Sequence, residues 1–193
     1  MVQGIILAGG LSSRAGCNKM TLVYQGKTII ARVVETFQDF VDKVIVVTGK
    51  YHDDTVAALS GYPKVAFVRN PLYAMGMFSS VQCGVQAASG DLLIIPGDMP
   101  LVKKATIRAL LAATGNVRVP VYKHRKGHPI FIAAKLRFDL LGEEDERGLK
   151  AFRDRHDPTM VETDDEGILI DVDSMKDYEH LNKIKEGDAS HAD

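Results

Sequence analysis

A short, unbroken apolar run at residues 4–8 (GIILA) stops at the glycine pair Gly9-Gly10. No other feature constrains the fold so tightly. A strand with one wet face alternates apolar and polar residues, whereas a continuous apolar run of strand length suits a strand covered on both faces. Strands of that kind belong to parallel sheets, whose crossover helices cover both sides. The run is too short to span a membrane, and no basic segment precedes it. It therefore reads as a first buried strand rather than a signal peptide.

Strand–helix alternation continues from there. Residues 28–40 carry helical periodicity through Ile29, Ile30, Val33, Val34 and Phe37. Residues 43–48 (KVIVVT) read as a second strand, and Asp53 or Asp54 is placed to cap a short helix ending at Leu59. A third strand follows at 65–68, a loop at 69–78, a helix at 79–88, a fourth strand at 91–95 (DLLII) and a helix at 105–113. This order predicts an α/β, Rossmann-like three-layer fold, a mostly parallel sheet with helices on both faces. The second half is less regular. It reads as strands at 117–122 and 128–133, the second a candidate for antiparallel pairing, and a short helix at 149–155. Two short strands follow at 160–163 and 168–171, and Ser174 opens a last helix with Asp177 as its capping-box partner. One domain over residues 1–185 with a frayed polar tail at 186–193 is expected, as suits a chain of 193 residues.

The bulk numbers exclude several classes of function. A net charge of −1 offers no footprint for nucleic acid or an anionic membrane, so neither is expected as a partner. The two cysteines, Cys17 and Cys83, form no CxxC pattern, which argues against a disulfide framework or zinc site and points to a reducing cytoplasm.

In an open α/β sheet, ligands bind beyond the carboxyl ends of the strands. Four segments fall there. Residues 8–19 combine Gly9 and Gly10, which let backbone N–H groups approach anionic oxygens, with Ser12, Arg14 and Lys19. An arginine fork suits phosphate. The loop is neither a Walker A motif nor GxGxxG, and Gly26-Lys27 reads as a tight turn before a helix. The plainer reading of a Gly-Gly pair is a flexible surface loop; the two cations directly after a buried strand favour phosphate binding. Asp98, between Pro96-Gly97 and Met99-Pro100, is a first candidate Mg2+ ligand, with an Asx-turn as the plainer alternative. Asp171 and Asp173 share a face if they end a strand, and one of them is the candidate second ligand; ordinary cap chemistry is the alternative. Asn70 through Ser80 forms a further wall, in which Ser79 or Ser80 can cap a helix that receives an anion or a base edge. Gly127-His128-Pro129 is a candidate acceptor pocket, although a lone histidine near a turn is more often structural. The charged run at residues 143–147 reads as a solvated loop.

Taken together, the stretch Leu7-Ala8-Gly9-Gly10-x-Ser12-x-Arg14-x-Gly16-x-x-Lys19 resembles the signature loop of the nucleotidyltransferases that attach CMP or GMP to molybdopterin. The resemblance continues through Gly76-Met77-x-Ser79-Ser80, Gly97-Asp98-Met99-Pro100, Gly127-His128-Pro129 and Asp171-x-Asp173-Ser174, in the family's order and over nearly the whole chain. It implies a single nucleotidyltransferase domain. It also implies a reaction in which the acceptor phosphate of molybdopterin attacks the α-phosphorus of an NTP and pyrophosphate leaves. Leu7, Ala8, Gly9, Gly10 and Ser12, with Asn70, Ser79 and Ser80, would bind the nucleotide. Arg14, Lys19 and Asp98 would carry the catalysis, Asp98 and Asp173 would hold Mg2+, and Gly127 and His128 would lie at the acceptor. The family pattern departs at Ala15, where methionine is usual. Ala8-Gly9-Gly10 and Gly97-Asp98-Met99-Pro100 match the guanylyltransferase branch, yet the Gly-Pro-rich segment of that branch after the third strand is absent. CTP is the expected donor, with GTP the alternative, and a molybdoenzyme is the expected recipient of the product. A sugar-1-phosphate nucleotidyltransferase and a non-catalytic nucleotide-binding regulator or cofactor-delivery protein are the rival readings.

Overall fold

The computed structural model describes residues 1–10 and 17–189, with side chains through residue 183. The strands are β1 (Val2–Ala8), β2 (Val23–Tyr24), β3 (Lys27–Thr28), β4 (Lys43–Thr48), β5 (Val65–Arg69), β6 (Asp91–Pro96), β7 (Val117–Tyr122), β8 (Arg125–Lys126), β9 (Ile130–Ile132) and β10 (Thr159–Glu162). The helices are α1 (Ile29–Phe37), α2 (His52–Ala58), α3 (Met77–Ala87), α4 (Lys104–Ala112), α5 (Arg137–Leu141), α6 (Leu149–Arg155) and α7 (Met175–Ala189).

Among the described residues the main sheet runs β10-β7-β9-β6-β1-β4-β5, with β8 beside β7. β1 pairs in parallel with both β4 and β6, and β4 with β5. Strand β9 runs antiparallel between β6 and β7. Chain order thus reverses at β1: the chain moves out to β4 and β5 on one side, then returns to β6 on the other. That is the topological switch point, and the crevice between the ends of β1 and β6 is where such a sheet takes its ligand.

Apolar residues on successive strand positions serve opposite layers. Ile6, Val46, Leu93 and Ile95 pack with Ile30, Val34 and Phe37 of α1 and Ile107 of α4. Ile5, Leu7, Ile45, Val47 and Ile94 pack with Val81 and Val85 of α3 and with Phe152 of α6. Register keeps the layers separate, since Ile5 faces Ile45 and Ile94 while Ile6 faces Val46 and Ile95. This is why β1 contains no polar residue between Gly4 and Ala8. No helix among the described residues is long and apolar enough to cross a membrane.

Several local expectations need correction. Residues 168–171 are not a strand. The 3-10 turn Glu166–Leu169 occupies their start, because the Asp165 side chain accepts the Gly167 N–H at 3.0 Å and starts a turn. Neither Asp53 nor Asp54 caps α2; Tyr51 is its N-cap, and Asp54 instead accepts from the Asn18 amide at 3.4 Å. Ser79 and Ser80 are not caps either, since α3 starts two residues earlier with Gly76 as N-cap. The Gln25-Gly26 turn joins β2 to β3 in a hairpin rather than leading straight into a helix. Strand β8 and helix α5 were not anticipated. The final helix is described as far as Ala189.

Candidate active site

A cavity of about 770 Å3 lies over the switch point, lined by Leu7, Gly9 and Gly10 after β1, Pro96, Asp98 and Met99 after β6, and Asp171 and Asp173 before α7. Gly10 is exposed, and a Cβ built on it would meet nothing within 4 Å, so the backbone here is open to a ligand. Asn18 and Lys19 follow the loop. The Asn18 side chain accepts the Met20 N–H at 3.2 Å, which starts the 3-10 turn Lys19–Thr21 and turns Lys19 inward. Lys19 is only 7% exposed.

Its ammonium is the electrostatic centre of the site. Lys19 Nζ donates to Asp98 Oδ2 at 2.6 Å and to Asp173 Oδ1 at 2.8 Å. The backbone ties the two acidic segments together, since the Val172 N–H donates to the Asp98 carbonyl at 2.9 Å. Burial is the largest influence on Asp98 and pushes its carboxyl up, an effect the Lys19 charge offsets only in part and Asp171 adds to. On Lys19, burial pulls down, but the two carboxylates together outweigh it and hold the ammonium above its usual range. Lys19 is therefore the firmer charge of the pair.

One oxygen is left over. Asp98 Oδ1 is buried and has no hydrogen-bond partner among the described residues. A buried carboxylate oxygen without a partner, on a residue that lines the cavity, fits a divalent cation, which takes carboxylate and phosphate oxygens together. Among the described residues no group of three or more His, Cys, Asp or Glu forms a metal cage. Mg2+ does not need one, because it is usually bound by one or two carboxylates plus substrate phosphates.

The opposite wall comes from the β8–β9 connection, with Arg125, Lys126, Gly127 and His128 in the lining. The His128 N–H donates to the Ile168 carbonyl at 3.1 Å, which docks this wall on the 3-10 turn. Burial, assisted by the Arg153 charge, pushes the His128 imidazole down to about 4, so it is neutral at neutral pH.

The expected site residues divide into groups. Leu7, Gly9, Gly10, Lys19, Ser80, Asp98, Gly127, His128 and Asp173 line one cavity. Ala8, Asn70 and Ser79 do not. Ala8 is buried in the core beneath the loop. Asn70, 2% exposed, donates to Ser79 Oγ at 2.9 Å and Ser80 Oγ at 3.0 Å, and so braces the start of α3. The Ser79 hydroxyl lies within donating distance of both the Leu72 and the Gly76 carbonyl, at 2.9 and 2.8 Å, and its single proton goes to one of them. Ser12 and Arg14 lie outside the described residues. Tyr73 and Met77 of the lining fall within the wall expected over residues 70–80, although neither was singled out there, whereas sequence reasoning missed Arg125 and Lys126. The basic pair directly before Gly127-His128 was a visible signal for the latter two.

The run at residues 143–147 is also not uniformly solvated. Glu143 is 6% exposed, accepts the Asp145 N–H at 3.0 Å and is ion-paired with Arg155.

The family model of the MobA-like NTP transferase domain matches residues 4–159. A molybdenum cofactor cytidylyltransferase of Escherichia coli (strain K12) is 26% identical over 92% of this chain and 93% of its own length. A Bacillus cytotoxicus relative named "Probable molybdenum cofactor guanylyltransferase" is 25% identical over 95% and 98%. Among solved structures, a nucleotidyl transferase from Methanothermobacter thermautotroptrophicus superposes with a TM-score of 0.83 at 27% identity, covering 95% of this chain and 96% of that one.

Proposed function

The chain belongs to the MobA-like NTP transferase family, and from that premise we propose that it transfers CMP from CTP to the phosphate of a molybdopterin-type acceptor, releasing pyrophosphate. One observation carries the reading: a single cavity at the switch point joins an open glycine backbone, a buried lysine, three acidic side chains and a neutral imidazole.

An acceptor phosphate is ionised at neutral pH and needs no general base. The barrier is the meeting of two anions and the departure of a third, so positioning and charge neutralisation carry the rate. The Gly9-Gly10 backbone approaches the nucleotide. Lys19 sets fixed positive charge beside the triphosphate, and Asp98 and Asp173 hold that ammonium in place. The acceptor oxygen forms a bond to the α-phosphorus as the bond from the α-phosphorus to the bridging oxygen breaks, and the electron pair leaves with pyrophosphate. His128, being neutral, adds no charge beside the reacting phosphates. Asp98 and Asp173 would hold Mg2+, which would supply further neutralisation of the triphosphate.

Pyrophosphate release from purified protein with Mg2+ and each NTP, with and without Mo-molybdopterin, tests the proposal. Release that requires the pterin and prefers CTP is the expected result. A preference for GTP overturns the base assignment and keeps the chemistry. Release only with sugar phosphates replaces the acceptor. Nucleotide binding without any release supports a regulator instead.

A further inference from the structure

The cavity does not end at His128. A second chamber of about 560 Å3 opens beyond it and shares Gly76, Met77, Lys126 and His128 with the first. Its far wall is the segment that leads into α6, and both ends of that wall are pinned. At the start, buried Glu143 holds the Asp145 N–H and the Arg155 side chain. At the end, Gly148 adopts φ +53°, and a Cβ there would stand 2.7 Å from Phe78 Cγ. Only glycine combines that backbone conformation with that approach, so the wall closes against the Phe78 ring.

The chamber has two chemical characters. Its floor is apolar, built on Phe78, Val81 and Ile130. Its rim carries Lys126, Arg147, Lys150 and Arg153 against one lining acid, Glu146. Neighbouring acids answer part of this charge. Asp145 holds Arg147 at 2.8 Å, and Asp154 is shared by Lys126 at 3.1 Å and Arg153 at 2.9 Å. Lys150 is exposed and has no ion-pair partner among the described residues. It lies one turn from Arg153 on α6, so both cations serve the same face. The rim keeps a positive excess above an aromatic and thioether floor, because Met77, 63% exposed, stands at the junction with the first chamber.

We infer that this second chamber receives the acceptor, as a ring-bearing phosphate monoester with further anionic groups. The ring packs on Phe78 and Met77, the anionic groups face Lys150 and Arg153, and the phosphate reaches past His128 toward Lys19. The inference rests on the reading of the chain as a transferase to a phosphorylated acceptor. It assigns acceptor selectivity to α6 and the start of α3, apart from the residues that hold the nucleotide.

Two variants at exposed positions that line only the second chamber, Lys150→Glu and Arg147→Glu, test it, with thermal melts to confirm folding. Steady-state rates are measured with Mo-molybdopterin varied at saturating CTP, and then the reverse. Each variant is expected to raise the acceptor KM by about tenfold or more while the CTP KM stays within about twofold. Lys150→Arg is expected to keep the wild-type acceptor KM. An unchanged acceptor KM in both folded variants, or an equal rise in the CTP KM, overturns the inference although wild-type activity stands. Wild-type turnover of a sugar phosphate in place of the pterin overturns the acceptor named above. The same variants must then raise the KM for that sugar phosphate, or the chamber assignment falls as well. Wild-type protein that transfers to no acceptor overturns both.

Discussion

On the reading proposed above, Lys19, Asp98 and His128 matter most at the scale of single side chains. Lys19 and Asp98 form an almost fully buried pair, and Asp98 keeps one oxygen for a further ligand. Removing a group that neutralises transition-state charge costs roughly a hundred- to a thousandfold in rate. Asp98→Ala and Lys19→Ala are each expected to lose about that much in pyrophosphate release. Lys19→Ala is also expected to melt at a lower temperature, because it strands a buried carboxylate, whereas Asp98→Ala leaves Lys19 paired with Asp173. Near-normal turnover by either variant would remove that residue from the mechanism. His128 makes a different prediction. Its folded value near 4 lies below the ordinary 6.5, so between those values the unfolded chain binds the proton first. Its contribution is therefore intact above about pH 6.5 and is lost as pH falls toward 4. In urea melts at pH 7.5 and pH 5, His128→Gln is expected to lose less stability on acidification than wild type. Equal losses would show that the buried imidazole is not the sensor.

Asp165 decides the placement of the acidic segment at the scale of elements. It is 1% exposed and accepts from Lys103 N at 2.8 Å, Thr106 Oγ1 at 2.5 Å and Gly167 N at 3.0 Å. This carboxylate binds the start of α4 to the 3-10 turn that receives His128 and leads to Asp171 and Asp173. Asp165→Ala leaves the Lys103 and Gly167 N–H groups unmatched and removes one of two partners of the Thr106 hydroxyl, and is expected to cost roughly 2–4 kcal/mol in denaturant unfolding, with a further fall in rate. Asp165→Asn, which retains one acceptor oxygen, is expected to fall between wild type and Asp165→Ala. A melt of Asp165→Ala indistinguishable from wild type would mean the turn is held by packing alone.

At the scale of the whole molecule, the described residues form two large apolar clusters on opposite faces of the sheet, beside a smaller third one. Phe37 is fully buried in one layer and Ile94 in the other. Phe37→Ala and Ile94→Ala are expected to cost about 3–5 and about 2–5 kcal/mol respectively. Because the side chains share no layer, the double variant is expected to equal the sum within about 0.5 kcal/mol in urea unfolding. A larger departure would show that the sheet transmits repacking from one face to the other.

The strands and helices of the first half were legible because their signal is local. An unbroken apolar run requires cover on both faces, and periodicity marks the covering helices. Residues 43–48 are a strand with those bounds for that reason. The glycine pair, Lys19, Asp98 and His128 were legible as candidates because their neighbours are helix breakers at the ends of such strands. The partners of those residues were not legible. Lys19 meets Asp98 and Asp173 across 79 and 154 residues of chain, and only the crossing at β1 brings them together. Local spacing likewise could not separate Ser80, which reaches the cavity, from Asn70 and Ser79, which brace α3 behind it. Glu143 looked solvated because nothing near it in sequence shows Arg155 folding back over it. Sequence by itself determined which segments are strands, which are helices and where the chain must turn, since those follow from propensity and periodicity within one segment. Tertiary structure alone decided which carboxylate is paired, which oxygen is left unpaired and which imidazole is kept neutral, since burial and opposite charge arise only when distant segments meet.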